Sequence, residues 1–166
     1  MVYDCTVVGA VPAGGMAAWT ISKEGYNVLL IDRRSEICLP IRCAEGVSHH
    51  TFDNSGISPS KEWIKKDVKA IMVPAPNGKP FYLAQGGYSI DRKRFHSWVA
   101  NNALDRSCTL KLRTIAKEAF YDGILWEART NSSWEKSRIL IAADGGISRI
   151  AGFLGMLRKR EWIKGF

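Results

Sequence analysis

A glycine-containing turn near the amino terminus has the spacing of a phosphate-binding loop. Val7–Gly15 reads VVGAVPAGG, with Gly9 and Gly14 at the first and last glycine positions of that loop. A helix that begins after such a turn directs unpaired backbone N–H groups at an anion, and glycine lets the backbone approach closely. Val11 occupies the middle position, where glycine is usual. The segment therefore predicts a nucleotide site in which Val11 presses on the pyrophosphate or on the loop backbone.

An acidic side chain follows the loop at the distance that a nucleotide site requires. The apolar run YNVLLI, residues 26–31, ends at Asp32. In dinucleotide-binding folds a carboxylate about 20 residues beyond the loop accepts a hydrogen bond from a ribose hydroxyl. Arg33 and Arg34 come next, where arginine can accompany a 2′-phosphate, stack on adenine or form a solvated basic turn. We therefore expect Asp32 to bind a ribose.

The elements that must position these residues form a strand–helix–strand unit. Residues 2–8 and 26–31 are short apolar runs, as buried parallel strands are. Between them, 13–24 is rich in alanine and small residues and predicts a helix that Gly25 ends. Such a unit requires a right-handed crossover and a parallel sheet. The sequence predicts an α/β, Rossmann-like fold in one domain spanning residues 1–166.

Further elements are indicated along the rest of the chain. A short helix is expected over Val47–Asp53, and residues 68–84 predict a β-hairpin because two β-type runs flank Asn77-Gly78. A helix is expected to begin near Asp91. Residues 109–142 predict a three-stranded β-meander, followed by a terminal strand that can rejoin the parallel sheet.

Composition restricts the class of protein. The chain has 166 residues, of which 46% are hydrophobic and 24% are charged, and these fractions are typical of a globular domain. It contains no apolar run of about 18 residues, the length that would predict a membrane-spanning helix. A net charge of +8 favours anionic partners. The basic residues carry no nucleic-acid-binding signature, so we expect no nucleic acid partner. No secretory signal is visible in the sequence, so we expect a cytoplasmic location. Cysteine spacing predicts no metal site.

Three segments carry a resemblance to a known family. Residues 3–48 contain the loop, Asp32 and PIRCAEG (40–46); residues 86–100 read GGYSIDRKRFHSWVA; and residues 139–152 read ILIAADGGISRIAG. Together they resemble the geranylgeranyl reductase family, flavoproteins of the p-hydroxybenzoate hydroxylase superfamily. The most specific part is the Cys-x-Glu-Gly signature within 40–46. A departure is the pair at 142–143, Ala-Ala here, where the family usually has Gly-Ala.

The resemblance implies FAD as the cofactor and assigns a role to each matching residue. Gly9 and Gly14, with Val11 in the same loop, would contact the ADP pyrophosphate. Asp32 would bind the adenosine ribose, and Arg33 or Arg34 would flank the adenosine. Arg42 and Cys43 would lie on the flavin side, Arg92 would reach the phosphates or the ribityl chain, and Asp144 with Gly145 would close over the ribityl chain. Cys43 is the candidate catalytic residue near the flavin ring. An unreactive loop cysteine is the alternative.

The resemblance also implies an activity, which is reduction of C=C bonds in the geranylgeranyl chains of isoprenoid lipids. It implies an external electron donor, NAD(P)H or a ferredoxin-like protein, and peripheral contact with a membrane. An aromatic-hydroxylase-like monooxygenase is an alternative that the Cys-x-Glu-Gly signature disfavours. A second alternative is a non-catalytic remnant or a basic interaction module. Val11 favours it, and so does the expected absence of most of the substrate domain, because family members continue past the counterpart of Phe166.

Overall fold

The computed structural model describes residues 1–41, 43–76 and 78–157, which form eleven strands and four helices. In chain order they are β1 (Val2–Val8), α1 (Ala13–Lys23), β2 (Val28–Ile31), β3 (Gly46–Ser48), α2 (His49–Ser55), β4 (Ile64–Val68), β5 (Ile71–Val73), β6 (Phe81–Leu83), β7 (Gly87–Ile90), α3 (Arg92–Leu104), β8 (Cys108–Lys111), β9 (Glu118–Tyr121), β10 (Trp126–Arg129), β11 (Trp134–Ala142) and α4 (Arg149–Phe153).

The largest sheet has six strands in the order β8-β2-β1-β11-β10-β9. The first four are mutually parallel, and β10 and β9 continue the sheet in antiparallel pairing. β1, α1 and β2 form the predicted strand–helix–strand unit, with Cys5 beside Val28 and Val8 beside Ile31. The α/β, Rossmann-like fold with a parallel sheet and a β-meander is thereby confirmed.

Residues buried in this sheet form two apolar clusters. Leu29 and Ile31 belong to one, with Ala116, Ala119 and Ile150 from the later part of the chain. A second cluster contains alternate residues of the same strands, with partners from α1 and α3: Cys5, Val7, Ala10, Ala18, Val28, Leu30 and Ala103. Because β2 contributes neighbouring residues to both clusters, both faces of the sheet are covered, as in parallel sheets generally.

The carboxyl-terminal strands differ from the sequence prediction in one respect. β9, β10 and β11 form the meander, and β11 also pairs in parallel with β1, so the third meander strand and the terminal strand are one element. β8 is a separate strand that pairs with β2. Its four residues, CTLK, contain one leucine and no apolar run, so their sequence does not distinguish a buried strand from a loop.

The chain divides into two compact units, whereas the sequence predicts a single domain. One unit contains Met1–Leu39 and the chain from His96 onward, and the other is Pro40–Phe95. The second unit has its own aromatic core, in which the Phe52 and Trp63 rings stack with centroids 5.1 Å apart. The division escapes sequence analysis because the inserted segment carries no linker-like composition at either end.

The second unit contains two separate sheets. β3, β7 and β4 form one antiparallel sheet, and β5 and β6 form a two-stranded hairpin within the range 68–84. Asn77, at its predicted turn, lies outside the described residues. α2 begins two residues later than the predicted Val47, because Val47 and Ser48 belong to β3. α3 begins directly after Asp91, as predicted.

Candidate functional site

The glycine loop joins the end of β1 to α1, and its two predicted glycines are required by packing. Gly9 has a φ of +100°, and a Cβ there would lie 2.4 Å from the carbonyl oxygen of Ala143. A Cβ on Gly14 would lie 1.7 Å from the carbonyl oxygen of Gly9. Real side chains do not approach backbone atoms so closely. The loop, the first turn of α1 and the end of β11 are therefore locked together only because both positions are glycine.

Val11 occupies its loop position without backbone strain. Only three non-glycine residues in the described part of the chain have a positive φ, and Val11 is not among them. Its side chain is half-buried and packs on a cluster formed by Ile37, Cys38 and Ala100. The sequence predicts that Val11 presses either on the pyrophosphate or on the loop backbone. The φ angle of Val11 shows no strain in the loop backbone. The valine side chain itself is what a ligand at the loop would meet.

Asp32, at the end of β2, is almost completely buried and anchors the loop. Its Oδ2 accepts a hydrogen bond from the backbone N–H of Ala10 at 2.9 Å. Its Oδ1 accepts one from the backbone N–H of Arg34 at 2.8 Å, and the Arg34 guanidinium lies 3.2–3.3 Å from both oxygens. Arg34 thus bonds the Asp32 carboxylate through both its backbone N–H and its guanidinium.

Asp144 and Gly145 follow β11 and shape the turn into α4. The Asp144 carboxylate accepts hydrogen bonds from the Ser148 hydroxyl and, at 2.7 Å, from the backbone N–H of Arg149. Gly145 has a φ of +101° and open space in front of its Cα. Asp144 is thus engaged with the start of α4 and holds the turn, while Gly145 presents bare backbone. Conformation, and not crowding, is the reason for glycine at position 145.

These residues surround a cleft of about 730 Å³ at the carboxyl ends of β1, β2 and β11. Chain order reverses across β1, since β2 lies on one side and β11 on the other. Ligands of open α/β sheets bind at such a point. The lining includes seven residues that the sequence analysis singled out or placed beside the site, namely Gly9, Val11, Asp32, Arg33, Arg34, Asp144 and Gly145. Gly14 lies beneath the loop instead.

The cleft also contains residues that the sequence analysis did not select. Thr114–Ala116, between β8 and β9, and Ser148–Arg149 line it. The side chain of Asn131 holds the first of these segments, because its oxygen accepts the N–H of Ile115 at 2.8 Å and its amide donates to the Arg113 carbonyl at 3.2 Å. Ser148 carries a usable signal, since serine before a short apolar run is a typical helix N-cap.

Charge in the cleft suits an anionic ligand. Arg33, Arg34 and Arg149 line it, and the carboxylates of Asp32 and Asp144 are occupied by hydrogen bonds within the protein. Backbone N–H groups at the start of α1 add to this potential. The volume falls within the usual range of small-molecule sites. The residues of this cleft therefore fit a nucleotide cofactor with a diphosphate.

The remaining predicted residues belong to the second unit. Cys43 is exposed, and Arg92 is the first residue of α3. Glu45 has a left-handed φ of 61°, and its carboxylate accepts a hydrogen bond from Lys65 Nζ at 2.8 Å. That bond is the main reason that the pKa of Glu45 is lowered. Arg42 lies outside the described residues.

The described ranges 1–41, 43–76 and 78–157 contain no group of three or more His, Cys, Asp or Glu side chains that could hold a metal ion. His49 and His50, which are neighbours in the sequence, contact separate carboxylates. His49 lies 3.3 Å from Asp67, and His50 lies 3.9 Å from Asp53. None of the described helices is long and apolar enough to cross a membrane.

Comparison with known proteins agrees with this geometry. Residues 7–56 match the family described as an NAD(P)-binding Rossmann-like domain. Digeranylgeranylglycerophospholipid reductase 2 of Methanopyrus kandleri is 37% identical over 162 residues, covering 95% of this chain and 41% of the reductase. The chain thus spans about two fifths of the length of this curated relative.

Solved structures show the same relationship. A geranylgeranyl bacteriochlorophyll reductase-like protein from Thermoplasma acidophilum superimposes with a TM-score of 0.83 at 28% identity, over 93% of this chain and 42% of that one. Halogenase PltM, crystallised with phloroglucinol and FAD, superimposes with a TM-score of 0.72 at 14% identity, over 92% of this chain and 36% of the halogenase chain. The latter similarity shows the fold alone. The predicted resemblance to the geranylgeranyl reductase family is confirmed.

Proposed function

We propose that this chain is the FAD-binding part of a geranylgeranyl reductase that saturates C=C bonds in the isoprenoid chains of ether-type lipids. The observation that carries this proposal is the cleft at the ends of β1, β2 and β11, in which the glycine loop, Arg33, Arg34 and the Gly145 turn converge. The 37% identity to a digeranylgeranylglycerophospholipid reductase supports the choice of reaction. The Cys-x-Glu-Gly signature disfavours the alternative monooxygenase function.

Within the cleft we assign the pyrophosphate to the loop. The first residues of α1, which begins at Ala13, offer their backbone N–H groups to the phosphate oxygens. Within the loop, the N–H of Gly9 is bonded to the Ile31 carbonyl, and that of Ala10 to Asp32. Arg34 is 31% exposed in its side chain and already rests on Asp32. We propose that it turns toward the adenosine when the cofactor binds, which frees Asp32 to accept the ribose hydroxyl. Arg33, which is exposed, flanks the adenosine from the solvent side.

The other end of the cleft is assigned to the ribityl part of the cofactor. Gly145 presents backbone without a side chain there, and Asp144 keeps this turn in place through Ser148 and Arg149. FAD bound here, once reduced by an external donor, would supply the hydride that saturates a C=C bond together with a proton. The protein residues bind and orient the cofactor and exclude water from it.

Several parts of this proposal rest on the family resemblance. Arg42 and Cys43 on the flavin side are carried over from the segment PIRCAEG, and Arg92 at the phosphates or ribityl chain is carried over from residues 86–100. NAD(P)H or a ferredoxin-like protein as electron donor, and peripheral contact with a membrane, follow from the reaction and its lipid substrate. Because the chain spans only 41% of the curated relative, the pocket for the isoprenoid chain is assigned to the remainder of such a reductase.

A lipid-reduction assay tests the proposed function. The chain is joined to the part of the Methanopyrus kandleri reductase that has no counterpart in it, supplied with FAD and a chemical reductant, and given digeranylgeranylglycerophospholipid. Mass spectrometry is expected to show addition of two hydrogens per saturated bond. Cys43→Ser is expected to abolish the reduction while the flavin spectrum persists, and Cys108→Ser, in β8, serves as the matched control. A flavin-loaded fusion that leaves the lipid unchanged would contradict the proposal.

A further inference from the structure

Glu45, two residues after Cys43, has a backbone conformation that glutamate rarely adopts. Its φ of 61° lies in the left-handed region, where asparagine, aspartate and glycine are the usual residues. A strained conformation of this kind persists only where surrounding contacts hold it, and such residues are frequent at functional sites. The contacts of Glu45 therefore identify what holds the chain at this point.

The backbone of Glu45 joins the Cys43 segment to the sheet of the second unit. The Glu45 carbonyl accepts a hydrogen bond at 2.9 Å from the N–H of Ile90, which ends β7 and is completely buried. Gly46, the next residue, begins β3 and is paired with Ser89. The regular pairing of β3 therefore starts after Glu45. Cys43, which is exposed, lies before it.

The side chain of Glu45 connects the same segment to two further elements. Its carboxylate accepts a hydrogen bond from Lys65 Nζ in β4 at 2.8 Å. The backbone N–H of Arg92, the first residue of α3, also stabilises the charged carboxylate, and both donors lower the pKa of Glu45. The Glu45 side chain is only 24% exposed, so solvent screens these bonds incompletely. One carboxylate thus bonds to both β4 and the start of α3.

The surrounding charges keep this carboxylate ionised. The hydrogen bond to Glu45 is the main reason that the pKa of Lys65 is raised. Lys65 also contributes to the lowered pKa of Asp91, whose Oδ1 accepts the N–H of Arg94 at 2.9 Å and so caps α3. A carboxylate with a lowered pKa that is bonded to an ammonium group is a poor proton donor at neutral pH. Glu45 is therefore suited to holding the chain and not to proton transfer.

We propose that Glu45 is a positioning residue, whose side chain clamps the Cys43 segment to β4 and to the start of α3. The clamp fixes Cys43 and the backbone of Arg92 relative to each other. The inference rests on the proposed function in taking these two as residues that act on the cofactor. Displacement of a reacting group by about 1 Å lowers a reaction rate by up to about a hundredfold, so such a clamp affects turnover without contacting the substrate.

A spin label on Cys43 tests the clamp in the chain without FAD. A thiol-specific nitroxide at pH 7 reacts with the exposed Cys43, because Cys38 is buried and the pKa of Cys5 and of Cys108 is raised to about 11. Mass spectrometry verifies the site of labelling. The electron paramagnetic resonance spectrum of the wild type is expected to be broadened by restricted motion, and Glu45→Ala is expected to narrow it.

Hydrogen exchange measures the same clamp from its other side. The amides of Ile90 and Arg92 donate to the carbonyl and to the carboxylate of Glu45. In Glu45→Ala the Arg92 amide is expected to exchange at least about tenfold faster, and the Ile90 amide is also expected to exchange faster. Lys65→Met removes one donor and keeps the carboxylate, so a smaller change is expected. Glu62→Ala, at an exposed glutamate of the same unit, is expected to leave both amides unchanged.

A matched pair of variants separates the side-chain clamp from the backbone conformation. Glu45→Gln keeps the reach of the side chain and an oxygen acceptor, whereas Glu45→Asn suits the left-handed conformation better but is one methylene shorter. The clamp predicts that Glu45→Gln stays close to the wild type in both measurements and that Glu45→Asn behaves as Glu45→Ala does. Circular dichroism and urea unfolding verify that the variants are folded. If Glu45→Ala does not fold, this pair and Lys65→Met decide the question.

The lipid-reduction assay of the fusion protein supplies the functional readout. Turnover per bound flavin is expected to fall at least about tenfold in Glu45→Ala and in Glu45→Asn, and by no more than about threefold in Glu45→Gln. A general loss of stability would lower the amount of flavin bound without lowering turnover per bound flavin. If Glu45 instead supplied the proton, Glu45→Gln would be as inactive as Glu45→Ala, and that result would overturn the positioning role.

Three further outcomes would overturn the proposal. They are a label on Cys43 that is equally mobile in the wild type and in folded Glu45→Ala, an Arg92 amide whose exchange does not change, and Glu45→Asn closer to the wild type than Glu45→Gln. The label and the exchange rates are measured without FAD or lipid. A fusion whose wild type fails to reduce lipid therefore contradicts the proposed function, while these two measurements still decide whether Glu45 holds the segment.

Discussion

Replacing Val11 by glycine is expected to tighten FAD binding and to weaken the fold. The valine lines the cleft, and its backbone is not in the left-handed region. In the proposed binding mode, its two γ-methyl groups limit how closely the pyrophosphate approaches the loop. Restoring one charge-assisted hydrogen bond from the loop backbone stabilises the complex by about 1.5 kcal/mol, which is about a tenfold lower Kd.

The cost of the same substitution to stability follows from the packing of Val11. Its side chain is half-buried against Ile37, Cys38 and Ala100, so its loss removes about half of the ~2 kcal/mol that full burial of valine contributes, or about 1 kcal/mol. The extra freedom of glycine adds about 0.5–1 kcal/mol. Val11→Gly is expected to lower the free energy of unfolding by about 1.5–2 kcal/mol.

Two measurements on three proteins test this account. Flavin fluorescence quenching gives the Kd for FAD, and urea unfolding without FAD gives the stability. Val11→Ala is the matched control because it removes the γ-methyl groups while keeping the Cβ, and it is expected to give most of the gain in affinity at about 1 kcal/mol of stability. Equal affinity in the wild type and both variants would refute the claim that the valine side chain limits access.

Two further predictions concern stability and thiol chemistry. Gly9→Ala is expected to lower the free energy of unfolding by well over ~3 kcal/mol, because strain at positive φ adds to the clash with the end of β11. Gly123 has the same φ of +100° but lies in open space, so the control Gly123→Ala is expected to cost only about 1–2 kcal/mol. Similar losses in the two variants would contradict the packing argument. Burial raises the pKa of Cys5 and of Cys108 to about 11. Iodoacetamide at pH 8 is therefore expected to modify the exposed Cys43 long before it modifies either of these thiols. Mass spectrometry of the digested protein measures the order of labelling, and fast labelling of Cys5 would contradict the prediction.

Local patterns in the sequence predicted the part of the site that lies within one strand–helix–strand unit. Gly9, Gly14 and Asp32 were identified from their spacing, and the structure places Gly9 and Asp32 at the cleft and Gly14 directly beneath the loop. What spacing could not predict was the state of Asp32, whose carboxylate is already occupied by Ala10 and Arg34. Such contacts depend on side-chain conformation, which sequence periodicity does not encode.

The rest of the site depends on tertiary structure. Thr114–Ala116 line the cleft because Asn131, from a distant turn, holds that segment in place. No local pattern in the segment indicates this, since its residues are ordinary loop residues. The separation of Pro40–Phe95 as a compact unit was missed for a related reason. Its boundaries are set by which residues pack together, and packing between distant segments leaves no mark on composition.

Equilibrium titration of the purified chain with FAD tests the central claim most directly. The account predicts saturable binding with one FAD per chain, seen as quenched flavin fluorescence, and a marked loss of affinity in Arg34→Ala, which removes an arginine from the cleft. Arg138→Ala, on β11 and 73% exposed in its side chain, is the matched control and is expected to bind as the wild type does. A chain that is folded by circular dichroism but binds no FAD would contradict the account.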